Sequence, residues 1–213
     1  MLIKERFDNI IAYFEQNMPK PETELHYSSA YELAVAVILS AQCTDKRVNI
    51  ITPSFFSKFP TPIELAQAIQ EDVFTVIKSC SYPNNKAKNL IAMSKCLINK
   101  FNGIYPDNID DLQILPGIGR KSANVIASVF FKKQALAVDT HVFRVSARLG
   151  LTKNARNPLQ TEQQLIKHIP NNKLSDAHHW LILHGRYICK ARKPLCDECG
   201  LKSWCNFFIE KYL

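Results

Sequence analysis

No unbroken apolar run in the 213 residues approaches the ~18 that a membrane-spanning helix needs. The N-terminus lacks the order of a secretory leader, because Glu5 and Asp8 interrupt its apolar positions. Alternation of polar and apolar residues is absent over any length that would make a strand, so the chain reads as all-α. Internal repeats and low-complexity tracts are missing too. Acidic residues are in deficit, 19 against 27 lysines and arginines, which leaves a net charge of +8. That balance favours polyanions as partners, although many basic soluble proteins bind none. The seven cysteines are odd in number, and with no leader ahead of them a disulfide framework is not expected. These absences predict an intracellular, cytoplasmic protein with no membrane attachment. At this length it forms one large domain or two small ones, with ample apolar content for a core.

The most informative stretch runs Leu112-Gln-Ile-Leu-Pro-Gly-Ile-Gly-Arg-Lys-Ser-Ala123. Pro116, Gly117 and Gly119 cannot continue a helix and predict a tight connection. Beyond them Ala123, Ile126, Ala127 and Phe130 fall on one helical face, so the local form is helix, glycine hairpin, helix. Amides in such a hairpin and in the first turn after it have no intrahelical partners and point along the positive end of the helix dipole, which suits a phosphate. A plain joint between two packed helices would use the same residues. Lys121 falls in that first turn, where the dipole disfavours a cation and stability alone would choose an acid. A neutral lysine amine is a nucleophile. Asp139 follows an apolar run and precedes the helical pattern Val142, Val145, Leu149. It reads as an N-cap, and a capping carboxylate is rigidly aimed.

Four of the cysteines crowd the end of the chain as Cys189-x6-Cys196-x2-Cys199-x5-Cys205. Four thiolates so close predict a soft metal centre, and the spacing alone leaves tetrahedral zinc and an iron–sulfur cluster equally open. Lys190, Arg192 and Lys193 lie between the first two, so closing the loop would place cations on one exposed knuckle. Such a knuckle suits phosphates or simply offsets the charge of the metal centre. Cys43, Cys80 and Cys96 read as small packing residues.

Elsewhere the pattern is helical. Ile3, Phe7, Ile10, Ile11 and Phe14 give a first amphipathic helix, ended by Pro19 and Pro21. Residues 30–39 are nearly all apolar and predict a buried central helix. Short helices are expected over 47–59, 62–68 and 71–78, separated by Pro53, Pro60 and Pro62. Two polar loops, Ser40-Ala-Gln-Cys-Thr-Asp45 and Cys80-Ser-Tyr-Pro-Asn-Asn85, lead into further helices, the latter over 86–100. Helices over about 157–168 and 173–188 follow. His178, His179 and His184 lie on the last of these without a metal-binding spacing, as structural or DNA-facing groups.

The segments 115–123 and Val138-Asp-Thr-His-Val-Phe-Arg144 together resemble the helix-hairpin-helix DNA glycosylase superfamily. Lys121 points to its endonuclease III branch, bifunctional glycosylase/lyases acting on oxidised pyrimidines. The cysteine spacing is similar to that branch's [4Fe–4S] motif and stands at the matching distance after His178-His-Trp-Leu-Ile-Leu-His-Gly-Arg186. The resemblance implies a two-lobed all-α fold, with residues 21–131 as a helical bundle carrying the hairpin. Residues 1–20 and 132–213 would form a second lobe with the cluster loop. It implies a monomer acting on double-stranded DNA that holds a damaged pyrimidine or an abasic site, associated with the nucleoid if the source is bacterial. Lys121 would form a Schiff base facing Asp139 across a cleft, and β-elimination would follow. Leu115, Gly117 and Gly119 would bind DNA through their amides, with Lys190, Arg192 and Lys193 beside them. Gln42 would enter the gap left by the extruded base, and Tyr82 would wedge the stack where the family usually has leucine. Gln113 stands where many relatives carry an acid. Two other readings remain open. One is a monofunctional glycosylase, a branch that lacks the lysine at 121; the other is a non-catalytic DNA-binding module with a zinc knuckle.

Overall fold

The structure is a computed structural model and describes residues 2–212. In chain order the helices are α1 (Ile3–Asn17), α2 (Ala30–Ser40), α3 (Asp45–Lys58), α4 (Pro62–Gln67), α5 (Gln70–Ile77), α6 (Pro83–Phe101), α7 (Ile109–Ile114) and α8 (Arg120–Val129). There follow α9 (Thr140–Leu149), α10 (Pro158–Leu165), α11 (Leu174–Tyr187) and α12 (Asn206–Tyr212). No strand occurs among the described residues. Local chemistry sets many of the starts. Ser29, Thr44, Asn108, Asp139 and Asn157 each occupy an N-cap and accept a first-turn amide, a contribution of ~1 kcal/mol apiece.

The chain falls into two compact units, residues 23–133 and, from either end of the chain, residues up to Glu22 with those from Gln134 onward. The first is built around α2, whose Leu33, Ala34, Val35, Ala36 and Leu39 are fully buried. Helices α3, α6 and α8 pack on it, which is why its sequence has no polar face. Helices α7 and α8 pack together on either side of the glycine hairpin. In the second unit α11 and α12 pack on α9, and Phe7, Ile10, Phe14, Val142, Val145, Trp180 and Leu181 share one core. Phe14 stacks on Trp180 with centroids 5.6 Å apart, and Trp180 Nε1 donates to Met18 O at 2.8 Å.

Two expected boundaries are corrected. Pro53 lies inside α3 rather than ending a helix. Residues 54–58 continue the helix beyond it, losing one ladder bond. Helix α6 begins at Pro83, not at Lys86. Proline at the first helical position has its φ already set and has no N–H to leave unsatisfied. The short helix α12 carried too little periodicity to be expected.

Candidate functional site

The hairpin between α7 and α8 closes through two carbonyls. Leu115 N donates to Leu112 O at 3.2 Å, and Ile118 N to Leu115 O at 3.1 Å. Gly117 holds φ +85°, a left-handed conformation that needs glycine, and a Cβ there would meet Asn89 Cβ at 3.0 Å. Gly119 caps α8, with φ −86° and open space where a side chain would go. Among the described residues the amides of Gly117 and Gly119 have no partner, and both glycines are exposed. The expectation for Leu115 is corrected: its amide is already engaged by Leu112 O and the residue is 1% exposed, so its part is to anchor the hairpin.

Lys121 stands in the first turn of α8 with an exposed side chain, and no ion pair engages it among the described residues. Its place at the start of α8 is the positive end of that helix, and no carboxylate among the described residues is paired with it.

Asp139 caps α9. Its Oδ1 accepts from His141 N and Val142 N, both at 2.8 Å, and its Oδ2 accepts from His141 Nδ1 at 3.0 Å. The ionised carboxylate can only accept, so that ring nitrogen must carry the proton. Burial alone would raise the pKa of Asp139. The bonds from His141 and Val142 and the nearby charges of His141 and His178 outweigh it and bring the value to about 2. The side chain keeps 18% of its exposure, so the carboxylate is fixed, ionised and reachable. Lys121 belongs to the 23–133 unit and Asp139 to the other.

Gln42 and Tyr82 share an unusual backbone. Both are non-glycine residues in the left-handed region, at φ 54° and 55°, and both are exposed. Such residues persist only where the surroundings over-determine them, and they cluster at functional sites. Their loops touch: Ser81 Oγ donates to Gln42 O at 2.6 Å, and Lys86 Nζ donates to Leu39 O and Ala41 O at 2.7 Å each. Burial, and then the neighbouring Cys43 thiol from the other loop, push the Cys80 thiol up to about 11. Sequence reasoning missed Ser81, Lys86 and the Cys43–Cys80 contact, since no spacing relates residues about 40 positions apart.

The four clustered cysteines line one cavity with Leu149, Phe207 and Phe208. Burial pushes the thiols of Cys199 and Cys205 up, Cys199 to about 11, and each is pushed further by neighbouring cysteines. A pocket where sulfurs suppress one another's ionisation is one that a cationic metal centre would reverse. No three histidine, cysteine or acidic side chains among the described residues converge on a single ion. Four cysteine sulfurs around one cavity are nonetheless the donors an iron–sulfur unit would take. The donor set therefore fits an iron–sulfur unit. Arg148 supports the loop, with Nη1 3.4 Å from Cys189 Sγ and 2.8 Å from Lys190 O, and Nη2 2.8 Å from Ala191 O. Arg144 fastens its start, with Nη2 2.9 Å from Gly185 O and 3.1 Å from Cys189 O. The i, i+4 spacing of Arg144 and Arg148 on α9 is the signal that would have paired them. Lys190, Arg192 and Lys193 are exposed on the secured loop. His178, His179 and His184 are all buried, which makes them structural rather than DNA-facing.

Residues 35–171 match the family described as "HhH-GPD superfamily base excision DNA repair protein", and residues 189–205 match "Iron-sulfur binding domain of endonuclease III". The second match begins and ends on a clustered cysteine. The chain is 47% identical over 202 residues to Endonuclease III of Rickettsia conorii, covering 95% of this chain and 96% of that protein. To Endonuclease III of Escherichia coli it is 42% identical over 198 residues, 93% of each. A solved structure of a trapped endonuclease III–DNA covalent intermediate superposes with a TM-score of 0.94 at 40% identity, covering 99% of both chains. A thermostable thymine-DNA glycosylase shares the fold, with a TM-score of 0.86 at 23% identity.

Proposed function

Because the chain belongs to the endonuclease III family of helix-hairpin-helix base excision repair proteins, we propose that Lys121 is the amine with which it cleaves DNA at damaged nucleotides. The protein is a DNA glycosylase with AP lyase activity and carries a [4Fe–4S] cluster. We assign it oxidised pyrimidines as substrate, and the roles of its residues as follows.

The damaged nucleotide must leave the stack before its C1′ can be reached. Gly117 and Gly119 offer their amides to a backbone phosphate, and the cations at 190, 192 and 193 add salt-dependent affinity. Gln42 and Tyr82 enter the duplex where the nucleotide has left. Lys121 Nζ then bonds to C1′ as the glycosidic bond breaks, and the base leaves with the bonding electron pair. A proton passes from that nitrogen to O4′ as the C1′–O4′ bond breaks, and the nitrogen lone pair forms the iminium of the opened sugar. Removal of a C2′ proton then expels the 3′ phosphate, and water releases the lysine. Asp139 stabilises the positive charge that develops on the sugar. A carboxylate with a pKa near 2 is a weak base, far from the neutral range where proton transfer is efficient, so the role is electrostatic. Cys189, Cys196, Cys199 and Cys205 would hold the cluster, which would supply a fixed anchor for the basic loop that Arg144 and Arg148 already fasten.

The observation that carries this reading is an exposed, unpaired lysine in the first turn of α8, immediately after a hairpin with two unengaged amides. Duplex DNA with thymine glycol, or with 8-oxoguanine, tests the substrate class. Release of the glycol and strand cleavage are expected on the first duplex only. An intact glycol strand overturns the substrate assignment.

A further inference from the structure

Lys86 lies in the first turn of α6, four residues beyond Tyr82, yet it is only 5% exposed. An ammonium in that place is doubly unfavourable, desolvated and at the positive end of a helix. Only strong acceptors offset this, and two meet it. The carbonyls of Leu39, in the final turn of α2, and of Ala41, its C-cap, stand at 2.7 Å, where the dipole favours a cation. One side chain therefore joins the start of α6 to the end of α2.

What it joins are the loops of Gln42 and Tyr82, two residues with left-handed backbone. The Lys86 amide donates to Tyr82 O at 3.1 Å, so the same residue holds Tyr82 through its backbone. Ala41, at the other end of the bridge, immediately precedes Gln42. Ser81 Oγ, bonded to Gln42 O at 2.6 Å, is a second tie between the loops. Nothing in the chemistry assigned to Lys121 and Asp139 uses Lys86.

We propose that Lys86 is a positioning residue for damage recognition: its bridge from α6 to the Leu39 and Ala41 carbonyls sets Gln42 and Tyr82 at a fixed separation, so both enter the duplex together. This rests on the reading that Gln42 and Tyr82 fill the gap left by the extruded nucleotide. Two probes held in place lose no further freedom on binding, whereas loosened loops must be ordered as the helix opens. The penalty falls where a complementary strand must be parted and is absent where there is none.

The test compares the cluster-loaded wild type with Lys86→Met, which keeps the stem and removes the donors, Lys86→Arg, which restores charge and donors, and Ser81→Ala, which cuts the second tie. Three readouts are taken: excision of thymine glycol from duplex, borohydride trapping on a single-stranded abasic oligonucleotide, and fluorescence of 2-aminopurine opposite an abasic site in duplex. For Lys86→Met, duplex excision falls about ten- to a hundredfold, as expected of a small displacement of a recognition element. Its single-strand trapping stays within about twofold and its 2-aminopurine response shrinks. Lys86→Arg recovers most of the loss, and Ser81→Ala shows a smaller loss of the same pattern. Equal losses on duplex and single strand, or wild-type duplex excision by Lys86→Met, overturn the proposal. If Lys86→Met fails to fold, Ser81→Ala decides: a duplex-selective loss supports the bridge and a uniform one overturns it. Gln42→Ala and Tyr82→Ala are run alongside. If neither alters duplex excision, the reading of the loops fails and takes the bridge with it. If both do and the Lys86 variants do not, the bridge alone fails.

Discussion

Asp139 Oδ1 lies 2.8 Å from the main-chain nitrogen of Val142, and the same oxygen takes the amide of His141 at 2.8 Å. One carboxylate therefore caps α9 and presents a fixed negative charge. The two duties separate by substitution. Asn caps as well as Asp but carries no charge, so Asp139→Asn lowers the melting temperature by less than Asp139→Ala does, yet lowers excision ~10²–10³-fold. Asp139→Ala loses the cap too, at ~1 kcal/mol, which lowers the melting temperature by about 2–4 °C. Unimpaired excision by Asp139→Asn would reduce Asp139 to a cap.

The same bonds make a pH prediction. The folded pKa of Asp139, about 2, is below its ordinary value. A group depressed in this way contributes stability above its unfolded pKa of roughly 3.9 and loses it as pH falls through the folded value. The contribution is fully present at neutral pH and fades between about pH 4 and pH 2. In urea unfolding, the margin of wild type over Asp139→Ala should hold level from pH 7 to about 4 and shrink below. A margin that fades from pH 6 would assign the effect to another group.

Gly117 and Gly119 should respond differently to alanine. At Gly117 the φ of +85° and the 3.0 Å approach to Asn89 Cβ strain the fold, so Gly117→Ala loses ~1–2 kcal/mol of stability along with DNA affinity. At Gly119 a methyl meets nothing within 4 Å. Gly119→Ala therefore melts like wild type, and its affinity for duplex falls because the methyl stands where phosphate approaches the amides. Unchanged binding by Gly119→Ala would remove the hairpin from the DNA contact.

The loop at 190–193 makes a claim about salt. Each phosphate contact removed lowers the slope of log affinity against log salt by about 1. Replacing Lys190, Arg192 and Lys193 together by alanine should lower it by up to about 3, uniformly across sequences. An unchanged slope would leave the three as solvated charges.

Much of this was legible in the sequence because it is local. The hairpin, the Asp139 cap, the buried helix over 30–39 and the cysteine spacing each announce themselves within a few residues, through glycine, capping chemistry or a repeated thiol. Left-handed backbone at Gln42 and Tyr82 was not legible, since neither residue type advertises positive φ. Lys86 read as an ordinary helix opener. Its partners Leu39 and Ala41 act through carbonyls, which carry no side-chain signature, and they lie more than 40 positions away. Arg144 and Arg148 share a face of α9 by spacing, but their partners were silent, being mostly main-chain oxygens of a distant loop. The Leu115 amide was misjudged because a hairpin's internal bonds cannot be told from spacing.

Borohydride trapping tests the central assignment most directly. Wild type, incubated with duplex DNA containing an abasic site and then reduced, should give a stable protein–DNA adduct whose modified peptide contains Lys121. Lys121→Gln should bind the same duplex with little change and give no adduct. An adduct of undiminished yield in Lys121→Gln, or one mapped to another lysine in wild type, would contradict the account.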